Sequence, residues 1–142
     1  MAVRVLIVDD ALFMRSMIRD IFSRDGFEVV GEAENGAEAV RLTSELKPDL
    51  ITMDIVMPVM DGLAALQQIV QADGTANVIM VSALGQESLI SEALEAGARD
   101  YIVKPFQAGR VLKVVQSVLG LDERFRPQGP AAGAGGAAGS PR

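Results

Sequence analysis

Five short apolar runs alternate with five segments of helical period along this chain, and that alternation leaves few folds open. The runs are VRVLIV (3–8), FEVVGE (27–32), DLITMD (49–54), NVIMVS (77–82) and RDYIVK (99–104). The first, third and fourth are nearly continuous in apolar character, the pattern of strands covered on both faces. Between them, Met14, Met17, Ile18, Ile21 and Phe22 fall on one helical face of segment 11–24. Segments 35–46, 62–72, 86–96 and 107–119 repeat the pattern with Ala39, Leu42 and Leu46; Leu63, Leu66, Ile69 and Val70; Leu89, Ile90, Ala93 and Leu94; and Val111, Val114, Val115 and Val118. Turn signals at Asp25-Gly26, Lys47-Pro48, Asp73-Gly74, Gly97 and Lys104-Pro105 separate the units. Strand–helix alternation with short loops requires right-handed crossovers. The expected fold is therefore α/β, a doubly wound five-stranded parallel sheet with helices on both faces, in the flavodoxin-like order 2-1-3-4-5.

In such a sheet ligands bind beyond the carboxyl ends of the strands, where the strand order reverses, here between the first and third strands. The residues at those ends are unusual. The first run ends in Asp9-Asp10, the third in Asp54, the fourth in Ser82 and the fifth in Lys104. Each has an ordinary reading taken alone. Asp9 or Asp10 suits a helix cap, Ser82 a turn and Lys104 a solvated charge. Together they place three carboxylates, a hydroxyl and an ammonium on one edge. Clustered carboxylates repel unless neutralised, and a hard divalent cation such as Mg2+ does that with oxygen ligands, waters and a phosphate. A carboxylate is also a nucleophile towards phosphorus. Met57-Pro58 after Asp54 reads as a stiff loop leading to a helix start at Asp61-Gly62.

Composition removes other chemistries. With no Cys and no His, the 142 residues hold no disulfide, no thiolate metal site and no Ser-His-Asp triad. Phosphoryl transfer needs charge neutralisation and positioning more than a base, so the lack of His is no obstacle to it. The net charge is −6, and an acidic surface with five Phe, one Tyr and no Trp speaks against nucleic acid as a partner. VRVLIV is too short for a signal-peptide core, and no apolar run approaches the ~20 residues of a membrane span. The cytoplasm is the expected location. Residues 1–120 are expected to form one domain, and 121–142, almost only Ala, Gly and Pro from residue 127, a disordered tail.

VLIVDDALFMR, GEAENGAEAV, PDLITMDIVMPVMDG, VIMVSA and AGARDYIVKPF resemble the receiver domain of two-component response regulators, over about residues 2–120. The wording of the motifs, with no effector domain expected after them, is most similar to the stand-alone, CheY-type chemotaxis branch of that family. The strand order above is also the order described for that branch. The resemblance implies that Asp54 is the phosphoacceptor. It implies that Asp9, Asp10, Asp54 and the backbone carbonyl of Val56 hold Mg2+, with Asp10 favoured over Asp9 as a direct ligand. Lys104 would contact the phosphoryl group. Ser82 would be the switch hydroxyl and Tyr101 the aromatic that turns inward with it. The Lys104-Pro105 bond would be cis.

The implied function is that of a signalling switch and not an enzyme turning over a separate substrate. A histidine kinase would donate the phosphoryl group. The face of the fourth helix, fifth strand and fifth helix would then bind a downstream protein such as the flagellar motor switch. A phosphatase is a further expected partner, the chain is expected to be a monomer, and no membrane is involved. Val56 and Leu84, both apolar, imply moderate to slow self-dephosphorylation. A stand-alone phosphorelay intermediate is the alternative output, and a docking scaffold is disfavoured because all five site residues are present. A haloacid-dehalogenase-type phosphatase would need an Asp where Val56 stands. A flavodoxin-like nucleotide binder would need a phosphate loop where DDALFMR stands.

Overall fold

The computed structural model describes residues 2–121. The expected tail at 121–142 therefore lies, but for Leu121, outside the described residues. The described residues fall into two units, divided between Phe106 and Gln107. The first unit runs β1 (Arg4–Val8), α1 (Leu12–Arg24), β2 (Glu28–Ala33), α2 (Gly36–Leu46), β3 (Leu50–Met53), α3 (Gly62–Ala72), β4 (Val78–Ser82), α4 (Glu87–Glu95) and β5 (Asp100–Val103). The second unit contains α5 (Ala108–Leu119), which buries Val111, Val114 and Val115 and stops at Gly120 in the left-handed conformation, φ 72°. Among the described residues no helix is long and apolar enough to cross a membrane.

All pairings in the five-stranded sheet are parallel, and its order is β2-β1-β3-β4-β5. Burial follows from that order. The interior strands β3 and β4 are buried at every position, while the edge strands β2 and β5 are partly open. On one face Leu6, Val8, Ile51, Met53, Val78 and Met80 join Ala39, Leu66, Ile69 and Ala93 of α2, α3 and α4 in a single apolar cluster. Val5 and Ile7 alternate to the opposite side of β1. The helix α1 shows where periodicity alone misleads. Its buried line is Arg15, Ile18 and Phe22, whereas Met14, Met17 and Ile21 are only half-buried. A charged residue thus occupies the first position of the buried stripe.

Local chemistry sets the helix starts. The Asn35 side chain accepts the Glu38 N–H at 2.9 Å and starts α2; the Asp61 side chain accepts the Ala64 N–H at 2.8 Å and starts α3. Neither Asp9 nor Asp10 is the cap of α1. That position is Ala11, whose own N–H is held by Asp9 Oδ1 at 2.9 Å.

The loop after β3 is shaped by close backbone approach. A Cβ on Gly62 would lie 1.9 Å from the Asp54 carbonyl oxygen, so only glycine lets α3 begin against that peptide. The Gly62 N–H donates to the Ile55 carbonyl at 2.8 Å, and the Gly36 N–H to the Met60 carbonyl at 2.8 Å. Between these anchors Val59 has φ 71°, with the Met60 N–H bonded to the Pro58 carbonyl at 2.7 Å in a three-residue turn. A β-branched residue is strained in that region. Val59 is also exposed, so its side chain contributes little packing in return. Val59→Asn is expected to stabilise the protein by about 1 kcal/mol, because Asn tolerates positive φ. Urea denaturation of the two proteins checks this.

Candidate functional site

The strand ends converge as the switch-point argument requires. The Asp54 N–H donates to the Val8 carbonyl at 3.0 Å, which sets β3 one residue from Asp9. The Asp9 N–H donates to the Ala33 carbonyl at 3.0 Å and ties the end of β1 to β2. The Lys104 N–H donates to the Ser82 carbonyl at 2.8 Å, so β5 ends beside β4. From there the Lys104 ammonium reaches Asp9 Oδ2 at 2.8 Å and Asp54 Oδ2 at 3.0 Å. One cation bridges two buried carboxylates. The Lys104–Pro105 bond is cis.

The carboxylates differ in their surroundings. Asp9 is 1% exposed and Asp54 7%. Asp54 Oδ1 accepts its neighbour's N–H, from Ile55, at 2.7 Å. Asp10 is exposed, and among the described residues its carboxylate accepts no hydrogen bond. Asp9, Asp10 and Asp54 each offer an oxygen within 4.8 Å of the others. Mg2+ holds oxygens at about 2.1 Å in an octahedron, so opposite ligands lie about 4.2 Å apart. The oxygen-only donor set and this spacing fit such a hard divalent ion with little adjustment. Val56 is exposed in the loop that follows, at 61%.

The electrostatics follow from burial. Burial pushes the Asp9 carboxyl above its ordinary range, even against the bonds from Lys104 and Ala11. Burial also works against the Lys104 charge, but the hydrogen bonds from Asp9 and Asp54 outweigh it and hold the ammonium above its usual value. The lysine is therefore charged at neutral pH.

Ser82 and Tyr101 meet at one residue, Leu84. The Ser82 side chain accepts the Leu84 N–H at 3.2 Å, and the Tyr101 phenol donates to the Leu84 carbonyl. The tyrosine ring lies inward, 5% exposed, and its burial pushes the phenol's pKa up. Thus Asp9, Asp10, Asp54 and Lys104 come together, and Ser82 adjoins them through the bond of its carbonyl to the Lys104 N–H, with its hydroxyl on Leu84. Sequence reasoning missed Arg15, Glu32 and Arg19. Arg15 is buried, donating to the Asp9 carbonyl at 2.8 Å and to Glu32 at 2.9 Å, while Arg19 donates to the other Glu32 oxygen at 2.6 Å. The only signal was spacing, since Arg15 stands three and seven residues before Ile18 and Phe22.

A family model described as the response regulator receiver domain matches residues 5–116. The chain belongs to that family. It is 60% identical over 119 residues to a chemotaxis protein CheY of Bacillus subtilis, covering 84% of this chain and 99% of the relative. A chemotaxis protein CheY of Thermotoga maritima is 53% identical over 118 residues, covering 83% of this chain and 98% of the relative. Among solved structures, the CheX-CheY-BeF3-Mg+2 complex from Borrelia burgdorferi matches with a TM-score of 0.81 and 42% identity, covering 82% of this chain and 88% of that one. The receiver fold and the chemotaxis branch expected from the sequence are both supported by these matches.

The bridging lysine has a measurable consequence. Lys104→Met would leave two buried carboxylates uncompensated and is expected to cost about 3 kcal/mol in metal-free protein. Adding Asp9→Asn should restore most of that loss, which chemical denaturation of the single and double variants reads directly. The arginine pair sets a pH dependence. Burial raises the Glu32 carboxyl, but the hydrogen bonds from Arg19 and Arg15 lower it further, to a net value below the ordinary one. The folded chain thus binds this proton more weakly than the unfolded chain. Its contribution is complete above the ordinary value near 4.5 and is lost as pH falls through the lower folded value. Glu32→Gln should be less stable than wild type at neutral pH, with the gap closing on acidification. Urea titrations across that range check it.

Proposed function

We propose that this receiver domain is a single-domain chemotaxis switch in which Asp54 accepts a phosphoryl group from a kinase phosphohistidine. The observation that carries the reading is the Lys104 ammonium held against Asp54 Oδ2 while Asp9 and Asp10 complete a three-carboxylate cluster. In the transfer, an Asp54 oxygen forms the new O–P bond as the N–P bond of the donor breaks. The electron pair returns to the imidazole nitrogen, which takes up a proton. Lys104 offsets the charge that accumulates on the phosphoryl oxygens, and Asp54 is held by the Ile55 N–H at its other oxygen. Asp9, Asp10, Asp54 and the Val56 carbonyl would hold Mg2+, which when bound supplies further charge neutralisation. Leu12, Phe13, Val56 and Val59 are exposed apolar side chains a few residues after the acidic ones in sequence, which suits a protein donor better than a small molecule.

The readout we propose runs through Leu84. Ser82 would move towards a phosphoryl oxygen and release the Leu84 N–H, while Tyr101, whose ring already lies inward and so need not turn as the resemblance implied, keeps its hold on the Leu84 carbonyl. The β4–α4 loop would then settle in a second arrangement, which alters the surface of α4 and β5, where Leu94 and Val103 are exposed. A shift of a few kcal/mol is enough to change which arrangement dominates. That surface would bind the downstream partner, the flagellar motor switch being the first choice. The chain would act in the cytoplasm and would turn over no separate substrate. The apolar Val56 and Leu84 offer no hydrogen bond to an attacking water, in keeping with moderate to slow loss of the phosphoryl group.

Incubation with acetyl phosphate and Mg2+ should add one phosphoryl group to the wild type, seen by intact mass spectrometry. Asp54→Asn should add none, and a chelator should abolish the reaction in the wild type. A phosphorylated Asp54→Asn protein would refute the assignment.

A further inference from the structure

Asp9 is restrained at every polar atom. Its N–H is bonded to Ala33, its carbonyl to Arg15, its Oδ1 to Ala11 and its Oδ2 to Lys104. Asp10 is the opposite case. Its exposed carboxylate has no hydrogen-bond partner among the described residues, so nothing aims it except its own backbone. The peptide plane that joins the two residues carries the Asp9 carbonyl. Fixing that carbonyl fixes the rotation of the plane, and together with Asp10's own φ this sets the direction in which Asp10 projects. The group that fixes it is the Arg15 guanidinium, at 2.8 Å in a buried position.

Arg15 is itself held in place. Its Nε donates to Glu32 on β2 at 2.9 Å, and its side chain is only 10% exposed. Arg19 takes the other oxygen of Glu32 at 2.6 Å, so the carboxylate is gripped from two turns of α1. The planar fork of a guanidinium serves a carbonyl and a carboxylate at once in fixed directions, which an ammonium cannot reproduce. The chain of contacts runs from β2 through Glu32 and Arg15 to the Asp9–Asp10 peptide. We infer that Arg15, clamped by Glu32, is a positioning residue that pre-aims the Asp10 carboxylate at a divalent cation. The inference rests on the proposed Mg2+ role of the acidic cluster and extends it to residues outside that cluster.

The test is a Mg2+ titration followed by amide NMR shifts, with metal-free thermal unfolding recorded for each protein. The proteins are wild type, Arg15→Lys, Asp10→Asn and the double variant. Arg15→Lys keeps the charge and loses the fork. It is expected to weaken Mg2+ binding about 10-fold, the size typical of partners that orient metal ligands. In the Asp10→Asn background the same change should have little effect, because the residue it acts through is already altered. Thermal unfolding separates this from a loss of fold, since a merely structural arginine would lower the midpoint and leave the affinity of the folded protein unchanged. Unchanged affinity in Arg15→Lys overturns the inference, and so does an equal loss in both backgrounds. Should Arg15→Lys not fold, Glu32→Gln carries the same comparison, with a loss of affinity expected only when Asp10 is present. A wild type that binds no Mg2+ overturns both the reading of the site and this inference. Wild-type binding with unaffected variants overturns the inference alone.

Discussion

The contact on which the site depends is the Lys104 ammonium between Asp9 and Asp54. Two carboxylates drawn from water into the same edge of a sheet repel each other and lose hydration. Neither loss is recovered by packing, because both groups sit at strand ends and not in the apolar cluster. A single cation from a third strand offsets both at once. The lysine arrives there because β5 pairs with β4 and its N–H is bonded to the Ser82 carbonyl. The sheet order, the acid pair and the phosphoacceptor candidate therefore form one electrostatic arrangement, in which a change at any strand end alters the charge balance at the others.

Rigid backbone supports this arrangement. Gly62 lets α3 start against the Asp54 peptide, and the Met60 carbonyl receives the Gly36 N–H from α2. The strained turn at Val59 lies between those two anchors, so its conformation is imposed from both sides. On the other side of the site, Leu84 is held by Ser82 at its N–H and by Tyr101 at its carbonyl, one bond to each of its flanking peptides. The first loop is tied down beside the acidic cluster. The second has one polar tie to Ser82 at the end of β4 and another to a ring on β5. That asymmetry suits a site where one wall must hold still and the other must respond.

Much of this was legible in advance because polar residues at the ends of apolar runs stand out against their surroundings. Asp9, Asp10, Asp54, Ser82 and Lys104 each interrupt a strand pattern, and the switch-point rule brings such interruptions together. Arg15 was not legible in the same way. It lies inside a helix, where one charged residue among Met, Ile and Phe reads as the edge of the solvent face. Its burial depends on the angle at which α1 crosses β1 and β2, and a one-dimensional pattern cannot specify that angle. Glu32 was hidden for a related reason, since a polar residue on an edge strand is what an edge strand usually shows.

The sequence by itself determined the five βα units, the parallel sheet and the identity of the residues at its carboxyl edge. Those properties follow from local periodicity, turn residues and the handedness of crossovers, each of which acts over a few residues at a time. Only the tertiary structure decided which carboxylate is buried against the lysine and which stays exposed. It also decided that Tyr101 lies inward on Leu84, and that Arg15 holds the peptide from which Asp10 projects. These are relations between groups far apart in the chain, and their distances are set by how the helices and strands pack. A sequence can name the groups, but their hydrogen bonds exist only once packing has fixed where each one points.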